Sequence, residues 1–400
     1  MRNKSIPEIM KNSIKTVTLG LMIGLMACES DQTNPRVVIQ NPEVPVAQET
    51  VVTKRSKKIK LALLLDTSSS MSGLIDQAKN QLWKIVNQLA LAKDADGEDP
   101  EIEIALYQYG NDGLSAMDGY VQQISGFTSE LDEISEQLFA LSTDGGSEYC
   151  GTVIEDAIQN LEWSDHEGDL QIIFIAGNES FGQGPKAYAE ACRLAVNKNV
   201  IVNTIFCGDF HEGVRISWND GALHGQGKYM NIDHDAQIVH IKSPYDEKII
   251  ACNTKLNDTY IPYGNRGRIK KEKQITQDEN AMELSSANAA KRYMSKGSKA
   301  YKNKSWDLVD AAEQESFDIE EVDKLPENMR SMNKDQKLAY IDKLKVERET
   351  IKREIAALSK QRRLYVENEK AKSAQGDAQL DDVIVLAIKE QANQKSYHFE

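Results

Sequence analysis

The sequence predicts a doubly wound, mostly parallel α/β sheet followed by an α-helical, coiled-coil-like C-terminal region. Three observations predict it. The runs IKLALLLD (Ile59–Asp66), LQIIFIAG (Leu170–Gly177) and VIVNTIFCG (Val200–Gly208) are continuously apolar, as strands buried on both faces are. Between them, apolar residues recur at helical spacing, so strands alternate with helices and call for parallel crossovers. Beyond Gly267 strand signals fade, and Lys, Glu, Gln and Ala dominate.

Taken in chain order, residues 1–27 read as a lipoprotein signal peptide. Arg2, Lys4, Lys11 and Lys15 form a basic start, and Thr16–Ala27 is an apolar run too short to span a bilayer, which needs about 20 residues. The run ends in Leu25-Met26-Ala27-Cys28, which resembles the bacterial lipobox, so Cys28 is the expected lipidation site and the membrane the expected anchor. The competing reading is ordinary cleavage after Ala27. Residues 28–57 read as a flexible tether, with Pro35, Pro42, Pro45 and no apolar period. The basic run Lys54–Lys58 is expected to be its solvated end.

Residues 58–265 read as the α/β domain. After the first strand, Leu74, Ala78, Leu82, Ile85 and Leu89 mark a helix, and the alternating EIEIALYQYG (Glu101–Gly110) marks a strand. Helices are expected over Leu131–Leu141, Val153–Leu161, Pro185–Asn197 and Pro244–Leu256, with short strands at YMNI and AQIVHI. Residues 266–400 read as helical. Ile341, Leu344, Arg348, Ile351, Ile355, Leu358, Arg362 and Tyr365 keep a 3-4 spacing over 335–372. Self-association through this stretch is one expectation; a helical hairpin, or packing of the helix on the body of its own chain, is the other, because Arg at alternate seam positions weakens a simple zipper. Trp306, Leu308 and Val309 suggest a further amphipathic helix.

Bulk properties narrow the function. The chain has 400 residues, 40% apolar and 28% charged, enough for two globular domains. A net charge of −14 speaks against nucleic acid as a partner. Beyond Cys28 there are four cysteines, Cys150, Cys192, Cys207 and Cys252. In an exported chain they allow one or two disulfides, and no C-x-x-C pair suggests zinc.

The chemistry lies in Asp66-Thr67-Ser68-Ser69-Ser70-Met71, where a buried strand gives way to a helix. Ligands of open parallel sheets bind at the carboxyl ends of strands. One carboxylate and two hydroxyls on a tight loop there suit a hard cation, Mg2+ or Mn2+. A Ser or Thr of the loop is also expected to cap the helix. This strand, motif and helix resemble the von Willebrand factor A (VWA) fold over roughly Lys58–Gly264, about half the chain. The resemblance implies that D-x-S-x-S is the first limb of a metal-ion-dependent adhesion site (MIDAS). Ser68 and Ser70 would ligate directly, Asp66 directly or through water, and an acidic side chain of a protein partner would complete the coordination.

The second limb in that family is a Thr after Gly-Gly. Here Gly145-Gly146 precedes Ser147, which is expected to take the role, with Thr152 as fallback and Asp144 and Glu148 as neighbours supporting the ligands. The third limb departs from the pattern: Ala176-Gly177 stands where Asp-Gly is usual, so Glu179 or Asn178 is expected to reach in instead. If the loops hold no metal, their Asp and Ser residues merely cap the helix. Asp209, His211 and Glu212, and Asp233, His234 and Asp235, are rich in ligand atoms of the kind surface loops often carry. Asn257-Asp258-Thr259 matches a glycosylation pattern that a bacterial lipoprotein would rarely use. No nucleophile elbow, P-loop, complete dinucleotide fingerprint or H-E-x-x-H is present, so catalysis is not expected. The expectation is a lipid-anchored cell-envelope protein that binds a protein partner through its metal face. The alternative is a metal-free scaffold acting through its C-terminal helices.

Overall fold

The structure, a computed structural model, describes residues 55–233, 240–314, 316–372 and 380–399. The expected signal peptide, Cys28 and nearly all of the tether lie outside the described residues, as do His234 and Asp235.

The sheet is built from β1 (Lys58–Asp66), β3 (Glu101–Tyr109), β4 (Val121–Thr128), β5 (Leu170–Gly177), β6 (Ile201–Cys207) and β7 (Gln226–Ile232), and β2 (Ala92–Lys93) lies outside it. Its order is β4-β3-β1-β5-β6-β7, with β4 alone antiparallel. The helices between strands are α1 (Ser72–Leu89), α2 (Leu131–Ala140), α3 (Cys150–Asn160), α4 (Tyr188–Asn197), α5 (Phe210–Arg215) and α6 (Trp218–His224). β1 sits at the centre because it is apolar on both sides. Ile59, Leu61, Leu63 and Leu65 meet Leu74, Leu82 and Ile85 of α1, while Ala62 and Leu64 join Val153, Ile154, Ala157 and Ala191 of α3 and α4. Two strand candidates meet different fates. YMNI lies within β7, whereas Gln237, Ile238 and Val239 of AQIVHI lie outside the described residues. The edge strand β4, with its polar VQQISG start, carries no apolar run that would announce it.

The rest of the chain is α7 (Asp246–Asp258), α8 (Gly267–Leu284), α9 (Ser286–Gly297), the single-turn α10 (Leu308–Ala311), α11 (Lys334–Lys372), α12 (Leu380–Gln394) and β8 (His398–Phe399). These elements pack on the α1 face. α12 lies beside α1 and against β5 and β7, burying Ile384, Ala387, Ile388 and Ala392 in the same core as β1. β8 then pairs antiparallel with β2. α9 packs on α1, and α8 on α2. Arg292 of α9 stacks 4.7 Å from the Trp83 ring of α1 and bonds Asp132 of α2 at 2.7 Å and Asp278 of α8 at 2.6 Å. The amphipathic helix expected around Trp306 is only the four residues of α10, which Asp307 caps by accepting from the Asp310 N–H, and both aspartates also pair with Arg348.

The expectation of self-association through 335–372 is corrected. Ile341, Leu344, Arg348, Ile351, Ile355 and Arg362, all on the seam, are buried against α7, α9 and α10 of the same chain. The two arginines show why. Arg348 donates to Asp307 (2.6 Å), Asp310 (2.8 Å) and the Thr259 carbonyl (2.6 Å), and its guanidinium lies 4.1 Å from the Tyr260 ring. Arg362 donates to Asp246 at 2.8 Å. A seam that carries charge is matched by carboxylates on the body of its own chain.

Candidate functional site

Four loops meet above the carboxyl ends of β1, β3 and β5. β1 ends in Asp66, whose carboxylate accepts from the Ser68 N–H at 2.7 Å and folds the chain into a tight turn. The Thr67 N–H donates to the Tyr109 carbonyl, tying the turn to β3. The 144–148 loop is held against it by Ser69 N–H to Gly145 O (3.0 Å) and Asp144 N–H to Thr67 O (3.0 Å). Asn111, after β3, bridges the Thr67 and Ser142 carbonyls. Two glycines make the room. A Cβ on Gly110 would lie 2.8 Å from both Asp66 Oδ1 and Glu148 Cγ, and one on Gly177 would lie 2.5 Å from the Tyr109 hydroxyl and 3.0 Å from Asp66 Oδ2.

The structure brings Asp66, Ser68 and Ser70 together. Ser68 Oγ and Ser70 Oγ are 3.2 Å apart, and the Asn178 amide sits 3.1 Å from Ser70 Oγ. None of these hydroxyls caps the helix: neither the short 3-10 turn Ser69–Met71 nor α1 has a side-chain cap. The expected cap is therefore absent, and the hydroxyls face one another and the neighbouring loop. Ser147 lies in the converging loop, between Gly145 and Glu148. Thr152 lies within α3, where its methyl faces Gly119.

Glu179 does not fill the gap left at Ala176. Its side chain is exposed, and it touches the site through its backbone N–H, which donates to Glu148 Oε2 at 3.2 Å. The carboxylate that comes to Asp66 is Glu148, only 2% exposed, with its own N–H donating to Gln183 Oε1 at 2.6 Å. Sequence reasoning placed Glu148 among the supporting neighbours. The sequence held only a partial signal: a lost carboxylate in one loop needs an acid in a facing loop, but Asp144 and Glu148 flank the Gly-Gly turn and Ser147 alike, and pattern does not separate them.

Burial sets the electrostatics. Desolvation raises Asp66 above the usual carboxylate range despite its hydrogen bonds. Desolvation, then the bond and charge of Asp66, push Glu148 up to about 9. Two carboxyls this close hold one proton between them. Asp66 Oδ2 is buried without a hydrogen-bond partner. Beneath them the Tyr109 hydroxyl donates to the Ala176 carbonyl at 3.0 Å, and burial raises it and the Cys150 thiol well above their ordinary values. Cys150, Cys192, Cys207 and Cys252 are all buried free thiols.

Residues 60–214 match the family model of the von Willebrand factor type A domain. The chain carries a VWA domain. Several solved structures are similar to it at low identity. An aerotolerance-related membrane protein from Bacteroides fragilis is 15% identical, with 44% of this chain and 92% of that chain covered and a TM-score of 0.31. BatB from Bacteroides thetaiotaomicron is 16% identical, with 48% and 95% covered and a TM-score of 0.33. Proximal thread matrix protein 1 from the mussel byssus, solved with a zinc-occupied MIDAS motif, is 16% identical, with 44% and 42% covered and a TM-score of 0.33. No curated protein matches the chain.

Other ligand-rich clusters in and beside the VWA domain have structural partners. Asp209 accepts from the His211 and Glu212 N–H groups to cap α5, and Glu212 pairs with Arg215. The basic run docks on the domain, with Arg55 on Asp169 (2.8 Å) and Lys58 on Glu101 (3.1 Å). Among the described residues, no three His, Cys, Asp or Glu side chains converge as a metal cluster. The VWA loops offer a different set: two carboxylates, two hydroxyls and an amide.

Proposed function

We propose that this protein is a binding module of the cell envelope whose VWA domain holds a divalent cation, Mg2+ or Mn2+, and through it an acidic side chain of a protein partner. VWA domain proteins commonly mediate protein–protein interaction and adhesion. The observation that carries the metal reading is the buried Asp66–Glu148 pair, with no N–H or hydroxyl donor on Asp66 Oδ2, directly beside the Ser68 and Ser70 hydroxyls. A buried acceptor without a donor is costly, and a cation removes that cost.

The residues present fit such an ion. Asp66, Ser68, Ser70 and Glu148 would hold it, with Asn178 and Ser147 at the rim, all hard oxygen donors. Glu148 here takes the part expected of Glu179. Bound, a cation with an open position attracts an anionic oxygen. The protein's own contribution is to orient the hydroxyls by the Asp66–Ser68 turn, to exclude water beneath with Tyr109, and to give up the proton shared by Asp66 and Glu148.

Calorimetric titration of the protein with Mg2+ and Mn2+ tests the reading. Wild type should bind one ion, and Ser68→Ala with Ser70→Ala should not; equal binding by both sinks it. The scaffold alternative has lost its most obvious surface, since the 335–372 seam is covered by its own chain. Anchoring through acylated Cys28 and residence at the cell envelope complete the proposal, and loss of membrane association in Cys28→Ser would support them. No turnover is expected.

A further inference from the structure

Away from the loops, three helices bring a lysine, an asparagine and an aspartate into one contact. Lys296 of α9 is fully buried. Its Nζ donates to Asn257 Oδ1 of α7 at 2.6 Å and to Asp278 Oδ2 of α8 at 2.8 Å. Asn257 Nδ2 donates to the same Asp278 oxygen at 2.9 Å, closing a triangle. Asn253, one turn earlier on α7, donates to that oxygen at 2.8 Å. Arg292 Nε holds the other Asp278 oxygen at 2.6 Å. The rings of Tyr260 and Tyr293 each lie 5.9 Å from Nζ.

This arrangement exceeds what an ion pair needs. A fully buried amine is pressed against a half-buried carboxamide, and one carboxylate touches both the amine that must lose protons and the amide nitrogen that must gain one. We propose that Lys296 and Asn257 are joined by an intramolecular amide bond, formed with loss of ammonia and with Asp278 as proton carrier. The Lys296 ammonium first gives a proton to Asp278. The freed amine pair attacks Asn257 Cγ, forming the C–N bond. A second proton passes from Nζ through Asp278 to Nδ2, the Cγ–Nδ2 bond breaks and neutral ammonia leaves. Nothing is oxidised or reduced. The first proton stays on Asp278, so Arg292 and Asp132, 2.7 Å apart, remain as a balanced pair.

Two further features fit. Desolvation brings the buried Lys296 ammonium down to about 8, while the Lys296 and Arg292 charges, outweighing desolvation, hold Asp278 well below the usual carboxylate range, so the neutral amine beside a protonated Asp278 is a minor species and the step is slow. Asn257 is only half-buried, which gives ammonia a way out. The Asn-Asp-Thr pattern at Asn257 thus marks a residue whose amide is engaged inward, not one displayed for a glycan.

The test is peptide mapping of the full-length wild-type protein by mass spectrometry. Trypsin should yield one branched peptide joining Leu256–Arg266 to Tyr293–Lys299, lighter by one ammonia, about 17 Da, than its two parts. Asn257→Ala and Lys296→Met should each lose it, and Asn253→Ala should keep it. Only linear peptides from the wild type would overturn the proposal, whether Asn257 is intact or deamidated. So would a branch from Lys296 to the peptide carrying Asn253. Because the deciding measurement is on the wild type, a variant that fails to fold does not blur the outcome.

Discussion

Glu148→Gln should make the metal-free protein more stable at neutral pH while removing its cation. The Glu148 carboxyl has an ordinary value of 4.5 and is pushed up to about 9 by burial beside Asp66. A carboxyl raised on folding binds its proton more tightly in the folded state than in the unfolded one. Its stabilising contribution is therefore complete below the unfolded value and is lost as pH rises toward the folded one. Between pH 5 and pH 7 the loss is two decades of proton activity, about 2.7 kcal/mol at most. Water at the mouth of the loops screens this to about 1–2 kcal/mol. Gln carries no titrating proton, and its amide can still donate to Asp66. Urea unfolding in chelator at pH 5 and pH 7 measures the effect. The variant should match wild type at pH 5, exceed it by about 1–2 kcal/mol at pH 7 and show no Mg2+-induced stabilisation. A variant no more stable at pH 7, or one with the same margin at both pH values, would refute the shared-proton argument.

Three other outcomes follow from the geometry. Gly177→Ala places a methyl 2.5 Å from the Tyr109 hydroxyl, so it should cost about 1–3 kcal/mol in urea unfolding and abolish cation binding by calorimetry. Arg348→Met strands Asp307 and Asp310 in the interior and should cost about 3–5 kcal/mol, with part regained by adding Asp307→Asn and Asp310→Asn. Ending the chain at residue 379 uncovers the sheet face under Ile384, Ile388 and Ala392. The loss, on the order of 5 kcal/mol, should abolish cooperative unfolding and raise binding of a hydrophobic dye.

The sheet was readable because β1, β5 and β6 are apolar through most of their length, with few polar residues such as Lys60, Gln171 and Asn203, and a strand covered on both faces has that composition. β4 escaped notice because an edge strand has one solvated side and no such run. At the site, Asp66, Ser68 and Ser70 could be placed from sequence, since a tight turn after a strand brings near neighbours together. Glu148 could not, because which acid of a facing loop turns inward depends on Gly110 and Gly177 leaving space in elements far away in the chain. The 3-4 period of α11 reported a buried stripe but not its cover. Arg348 and Arg362 in that stripe were the clue, since a buried guanidinium demands carboxylates opposite. α12 is short, and what it covers belongs to strands more than 140 residues earlier, a distance over which pattern alone carries no information.

The last helix and the two-residue strand after it have a bearing on how the chain comes into being. The wall of the sheet that α12 closes stays wet until residues 380–399 have emerged from the ribosome. Synthesis proceeds from the N-terminus at about 5–20 residues per second, so the earlier strands wait many seconds with a greasy flank uncovered. A nascent chain in that condition calls for a chaperone or for rapid export unfolded, and truncated translation products should be unable to reach the finished form.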